Sequence, residues 1–404
     1  MQHTENQAAL PSHLKGLNRQ RILKVIQTGR VLTVADIHAE TRISRPTVMR
    51  AVQDYLHQGV LRSMGQGSTT SMGGKKPELY CFADERKILC INLWPETVTL
   101  ALSGLIGDIH AVSRTDYRSG GSLDEAFRIV GTLAEEYLAK NKLAAEKLYG
   151  VVLSVPGTVD YATRTLRYNS QSPAWGTDVD LAARLRQIFG DQPVYFIDNA
   201  GKAAGRAVLM EHPEYADSRL MTLFTTWGVS ACMIERGHIL NGRDSLIGEI
   251  GHMVISDSGP SGCGCGKRGC LESQVSIRHA RQLLQEAGYT GNVSVLTFPE
   301  LFILSAGGDG AAQKTVRHLA HCFASALHNL SLAYDQDTVV FQGDFAWADE
   351  VFDQQLKREL QEFRYYPQGR LFEIRYDRRD LSMLAAQGGA ELIRRQYFSA
   401  LAED

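Results

Sequence analysis

No stretch of this 404-residue chain approaches the ~18–20 consecutive apolar residues that a membrane span requires. The opening segment, MQHTENQAALPSHLKG, lacks the apolar core of a secretory signal, so the cytoplasm is the expected compartment. Cysteine is scarce and odd in number, seven in all, with three packed into CGCGKRGC. That excludes a secreted disulfide framework and points instead to a metal site. Tryptophan occurs only four times, and the net charge is only −2. Hydrophobic content of 44% with 22% charged residues is that of a soluble globular protein, and the length implies two or three domains.

The small net charge conceals an uneven distribution. Residues 1–80 carry 11 Lys and Arg against 5 Asp and Glu, whereas the remainder carries 32 against 40. A basic head on an acidic body is the layout expected of a DNA-binding module joined to a domain that does not touch DNA.

Within the head, three short helical patterns follow one another. The first runs from Leu17 to Thr28, with Leu17, Ile22, Val25 and Ile26 on roughly one face and Gly29 as its stop. The second opens on Thr33-Val34-Ala35-Asp36, the spacing of a capping box, and ends near Thr41. Ser44 caps the third, and Pro46 falls in the first turn, where no backbone N–H is needed. Val48, Val52, Tyr55 and Leu56 form its buried stripe, which leaves Arg45, Thr47, Arg50 and Gln53 on the opposite face. Ser44 and these four side chains suit the end of a recognition helix entering a major groove, where Arg and Gln reach base edges. The segment after Gly59, VLRSMGQGSTTSMGGKKPELYCF, predicts two strands flanking a tip, with Lys75 and Lys76 placed to meet phosphates. Residues 1–82 are thus expected to form a winged helix-turn-helix.

From Ile88 the pattern becomes alternating strands and helices, giving an α/β body over residues 83–404. The strongest chemical signal is GEIGHMVISDSGPSGCGCGKRGCLES. His252, Cys263, Cys265 and Cys270 supply one imidazole and three thiolates, a soft tetrahedral set suited to Zn(2+). Glycines 262, 264, 266 and 269 allow the loop 252–270 to close around the ion. Four protein ligands leave no open position, so the zinc is expected to be structural.

The E-x-G-H followed by C-x-C-G-x-x-G-C-x-E, the SVPGTVD segment and the G-K-K-P after the wing together resemble the ROK family. With the basic head, the chain is similar to the NagC/Mlc type of sugar-operon repressor over residues 15 to 395. The resemblance implies a duplicated, actin-like or sugar-kinase-like body. It also implies a sugar pocket beside the zinc loop: Glu249, His252 and Glu272 would bond hydroxyls, Gly157 would close one side, and Gln171 falls near a position usually held by Asn. It further implies a dimer or tetramer reading an inverted repeat in double-stranded operator DNA, under control of a sugar or sugar phosphate effector.

Four departures from the family's kinases argue against catalysis. Asn92-Leu93-Trp94-Pro95-Glu96-Thr97 replaces a D-x-G-G-T-type phosphate loop. Thr226-Trp227-Gly228-Val229-Ser230-Ala231-Cys232 keeps one glycine of a G-T-G-V-G-A-G-type loop. Gly343-Asp344 stands where a Gly-Gly is usual, and Asp198-Asn199 reverses an Asn-Asp pair whose aspartate is the general base. Asn199 can still donate to and accept from a hydroxyl. Two other readings stay open: a sugar kinase with a regulatory head, and a zinc-braced dimeric DNA-binding protein controlled by a protein partner.

Overall fold

The computed structural model describes residues 11–67, 76–107, 109–117, 121–257, 262–365, 369 and 371–403. Helices Pro11–Ile26 (α1), Val34–Thr41 (α2) and Arg45–His57 (α3) precede an antiparallel pair, Leu61–Gln66 (β1) and Glu78–Phe82 (β2). The first helix begins six residues earlier than the sequence predicts, at Pro11, whose missing N–H is harmless at a helix start. Leu17 accordingly lies exposed rather than buried. Its expected place is taken by Arg19, 5% exposed, which pairs with Asp54 of α3 and stacks over the Tyr55 ring at 5.5 Å.

The Thr33–Asp36 capping box forms in both directions, and Arg42 ends α2 in a left-handed conformation that turns the chain sharply into α3. Ser44 caps α3 by accepting from the Thr47 N–H. The buried stripe of α3 is Val48, Ala51, Val52 and Tyr55; Leu56 is only half-buried. Leu32 adds a bridge to Tyr80, fastening the α1–α2 turn to β2.

The body holds two five-stranded sheets of identical order and sense. In the first, Lys87–Leu93 (β3), Thr97–Gly104 (β4) and Ile109–Asp116 (β5) run antiparallel. After Leu123–Lys140 (α4), Leu148–Val155 (β6) joins parallel to β3. A small sheet, Thr158–Asp160 (β7), Thr165–Tyr168 (β8) and Val179–Asp180 (β9), then leads into Leu181–Phe189 (α5). Val194–Asn199 (β10) closes the sheet parallel to β6 and is followed by Ala200–Glu211 (α6).

The second sheet repeats that plan: Arg219–Thr225 (β11), Val229–Glu235 (β12) and His238–Ile239 (β13) are antiparallel. Helices Leu271–Gln274 (α7), Ile277–Glu286 (α8), Phe298–Ala306 (α9) and Gly310–Tyr334 (α10) intervene. Thr338–Gly343 (β14) and, after Glu350–Glu362 (α11), Glu373–Asp377 (β15) then add in parallel. Leu381–Glu403 (α12) ends the described chain. Among the described residues no helix is long and apolar enough to cross a membrane. Within α10, Val316, Leu319, Phe323 and Leu327 are fully buried and form its core face.

Strand β3 is buried from Ile88 to Leu93, and apolar there except for Asn92, because helices cover both its faces. Ile88 and Cys90 pack toward α12, whereas Leu89, Ile91 and Leu93 pack toward α4 and α5. Helix α12 spans the molecule. At its start the Ser382 carbonyl accepts from the Asn92 amide at 2.8 Å, while near its end Leu401 O accepts from Arg19. Ile22, Leu23 and Ile26 of α1 share one buried cluster with Ile393, Phe398 and Ala402 of α12. Head and body therefore have a continuous core, and the sequence boundary after Phe82 is no break in packing.

Candidate functional site

The cysteine loop brings its four expected ligands together. One ligand atom from each of His252, Cys263, Cys265 and Cys270 lies within 4.8 Å of all the others. His252 Nδ1 is 3.2 Å from the Cys263 sulfur, and Cys265 Sγ lies 3.3 and 3.6 Å from those of Cys263 and Cys270. A tetrahedral zinc with arms of about 2.3 Å separates its ligand atoms by roughly 3.5–3.8 Å, so the donor set fits such an ion. Burial pushes the Cys263 thiol up, to about 12, so a thiolate there needs a neighbouring cation. Tight backbone approach makes the cluster possible. A side chain at Gly264 would collide with the Ser170 carbonyl, and Gly269 adopts φ 71 against the Ser256 carbonyl.

With Nδ1 turned to the sulfurs, His252 Nε2 faces the other way, 3.2 Å from Ser170 Oγ. There it borders a cavity of about 50 Å³ whose lining includes Gly157, Gln171, Asn199, Glu249, His252 and Glu272. All six residues expected to face an effector thus surround one space. Burial pushes the Glu249 carboxyl up, opposed by the His252 ring and by a hydrogen bond from Thr158. Glu272 accepts from the Val229 N–H at 3.1 Å.

Asn199 is the residue most committed to the fold. Its Oδ1 caps α6 by accepting from Gly201 and Lys202, and its Nδ2 donates to Gly157 O at 2.8 Å. Asp198 turns the other way, into the protein, 3.8 Å from the guanidinium of Arg206. Burial pushes its carboxyl up. No carboxylate therefore stands at position 199 to accept a proton from a ligand.

The sequence reading overlooked Asn169. It is 1% exposed and lines the same cavity, and its Nδ2 has no partner among the described residues. Its Oδ1 accepts from the Gln171 N–H, so the turn after β8 carries Asn169 inward and leaves Gln171 exposed at the rim. The signal was the Asn in Tyr168-Asn169-Ser170-Gln171, two positions before the residue chosen. A buried donor without a partner costs about 1–3 kcal/mol, which a hydroxyl-bearing ligand would relieve.

The three altered loops converge on a neighbouring cavity of about 660 Å³, lined among others by Trp94, Glu96, Trp227, Asp344 and Trp347. Burial pushes the Asp344 carboxyl up, to about 6.

On the head, Ser44, Arg45, Thr47, Arg50 and Gln53 are all exposed along one side of α3. Lys76 is exposed beside β2, and Lys75 lies outside the described residues.

Two lobes with matching mixed sheets, a cleft between them and a Cys/His cluster at the cleft wall define a mixed α/β, sugar-kinase-like protein. The chain belongs to the ROK family, whose model matches residues 89–395. The xylose repressor of Caldicellulosiruptor bescii is 22% identical over 367 residues, covering 88% of this chain and 90% of the repressor. The glucokinase of Thermotoga maritima is 26% identical over 293 residues, covering 69% of this chain and 88% of the kinase. A solved ROK-family transcriptional regulator, described as a homologue of the E. coli MLC protein, superposes with TM-score 0.75 at 20% identity, covering 96% of this chain and 98% of that one. The ROK glucokinase of Streptomyces griseus solved with glucose and AMPPNP covers less of this chain, 76%, and 99% of its own, with TM-score 0.64 and 15% identity.

Proposed function

We propose that this chain is a cytoplasmic transcriptional repressor of carbohydrate-utilisation genes. In this reading residues 1–82 form a winged helix-turn-helix that binds operator DNA, and residues 83–404 form a duplicated, non-catalytic sensor domain braced by a structural zinc. The effector is a sugar or sugar derivative held by Asn169, Glu249, His252 and Glu272. The active form is a homo-oligomer whose two heads meet the halves of an inverted repeat. Full-length likeness to repressors, heads included, supports this over the kinase reading, as do the loops that have lost their glycines.

The observation that carries the reading is the continuity of α12. One end lies in the interlobe cleft and the other packs on α1, which holds α3 through Arg19. A ligand that prefers one cleft geometry thereby biases the placement of α3. The test is footprinting on the protein's own upstream region with a panel of aldoses. Protection that responds to a sugar, and is lost in Arg50→Ala, supports the reading. Robust ATP-dependent phosphorylation of any sugar in the panel would overturn it.

A further inference from the structure

Three of the chain's four tryptophans, Trp94, Trp227 and Trp347, line the 660 Å³ cavity between the lobes. The fourth, Trp175, is buried structurally. Trp227 and Trp347 are 68% and 52% exposed, so water covers large indole faces that a folded protein ordinarily buries. The positions are specific. Trp94 replaces a glycine of the first phosphate-type loop, Trp227 the threonine of the second, and Asp344 the second glycine of the third. The cavity has been kept while its chemistry has been exchanged.

That chemistry disfavours a nucleotide. The lining includes three carboxylates, Glu96, Asp344 and Asp380, against three guanidiniums, Arg114, Arg378 and Arg379. Arg379 is held by Asp377 and Glu211, while Arg378 donates to the Ala346 carbonyl and sits 5.3 Å over Trp347. A triphosphate would meet no cationic excess and would face the Asp344 carboxylate. A neutral ligand with flat C–H faces and many hydroxyls meets what it needs: indole faces for the ring, and carboxylate and guanidinium groups for the hydroxyls.

The cavity also adjoins the effector pocket. Trp94, Gln171 and Thr226 line both, forming the shared wall. Trp94 is fixed there by parallel stacking on Phe224, with centroids 5.8 Å apart. The inner space of about 50 Å³ is small beside the outer one of about 660 Å³.

We propose that the tryptophan-lined cleft is a second saccharide subsite, so that the effector is a di- or oligosaccharide. One unit occupies the inner pocket and the next lies against Trp227 and Trp347. This inference rests on the reading of the inner pocket as a sugar site.

The experiment is titration calorimetry of the full-length protein with D-xylose, D-glucose and N-acetylglucosamine, their homodisaccharides and MgATP. The proteins compared are the wild type, Trp227→Ala/Trp347→Ala, Trp227→Phe/Trp347→Phe and Glu249→Gln. One disaccharide is expected to bind at least tenfold tighter than its monosaccharide. The double alanine variant should erase that advantage while leaving monosaccharide affinity unchanged. The double phenylalanine variant should keep most of it, and Glu249→Gln should weaken both ligands.

Equal affinity for mono- and disaccharide would overturn the second subsite and leave the sugar reading standing. So would an advantage that survives the double alanine change. Tighter binding of MgATP than of any disaccharide would overturn it as well. No binding by any saccharide would overturn the reading beneath it and the subsite together. Melting curves of the tryptophan variants within a few degrees of wild type exclude misfolding as the cause of a loss.

Discussion

At Cys265 the sulfur of a half-buried side chain lies within 3.6 Å of two others, an arrangement that neutral thiols alone have little reason to hold. Cys265→Ser is expected to abolish stoichiometric metal, measured by elemental analysis, and to lower Tm, because binding energy at a structural site is folding energy. Retained one-to-one metal in that variant would contradict the ligand set. Asp344 makes a different kind of prediction. Its carboxyl is pushed by burial to about 6, above the ordinary value of 3.8. A raised carboxylate pKa destabilises the fold at pH above about 6, and the cost fades as pH falls and both states become protonated. Two pKa units correspond to about 2–3 kcal/mol. Asp344→Asn should therefore raise the stability at pH 8 by up to that amount and leave it unchanged near pH 3.5, as read by denaturant melts at the two pH values.

Helix α3 and helix α12 make opposite demands on their surfaces. Arg45 and Arg50 of α3 are exposed and available to a base edge, so Arg45→Ala or Arg50→Ala should weaken operator binding by ~1–3 kcal/mol without altering Tm. Unchanged affinity in both variants would remove α3 as the reader. Helix α12 instead needs the absence of a side chain. A Cβ at Gly388 would strike the Ala203 carbonyl of α6, and one at Gly389 would strike Val152. Gly388→Ala should cost about 1–3 kcal/mol by prising the two helices apart, which an equilibrium urea melt would register.

Elements of this kind differed in how well they could be read. The Thr33–Asp36 box and the Ser44 cap were legible because they are local hydrogen-bond patterns written within four residues. The cysteine loop was legible because few residue types make soft ligands. Arg19 in the core and Leu17 outside it were not, since their environments come from α3 and α12, far away in sequence. Asn169 was missed for a related reason: which of several polar residues in a turn faces inward depends on how that turn folds.

The continuous core between head and body was invisible in the sequence, because a charge change near residue 80 looks like a domain boundary whatever the packing. It has a consequence for the whole molecule. If Ile22 and Ile26 pack into the same cluster as Ile393 and Phe398, opening the head exposes apolar surface of the body as well. Head and body should then unfold in one transition, and a ligand bound between the lobes should stabilise α1 and α3, which it does not touch. A saccharide at 100 times its Kd adds about 2.7 kcal/mol to the folded state. Over a chain of this length that corresponds to a rise in Tm of about 3 °C. Scanning calorimetry should show a single endotherm that shifts intact with ligand. Hydrogen exchange should slow at Leu23 and Val52 along with strands β3 and β6. Two endotherms, the smaller fixed while the larger moves with ligand, would mean that the head melts on its own. In that case α12 could not carry the state of the cleft to the DNA-binding face.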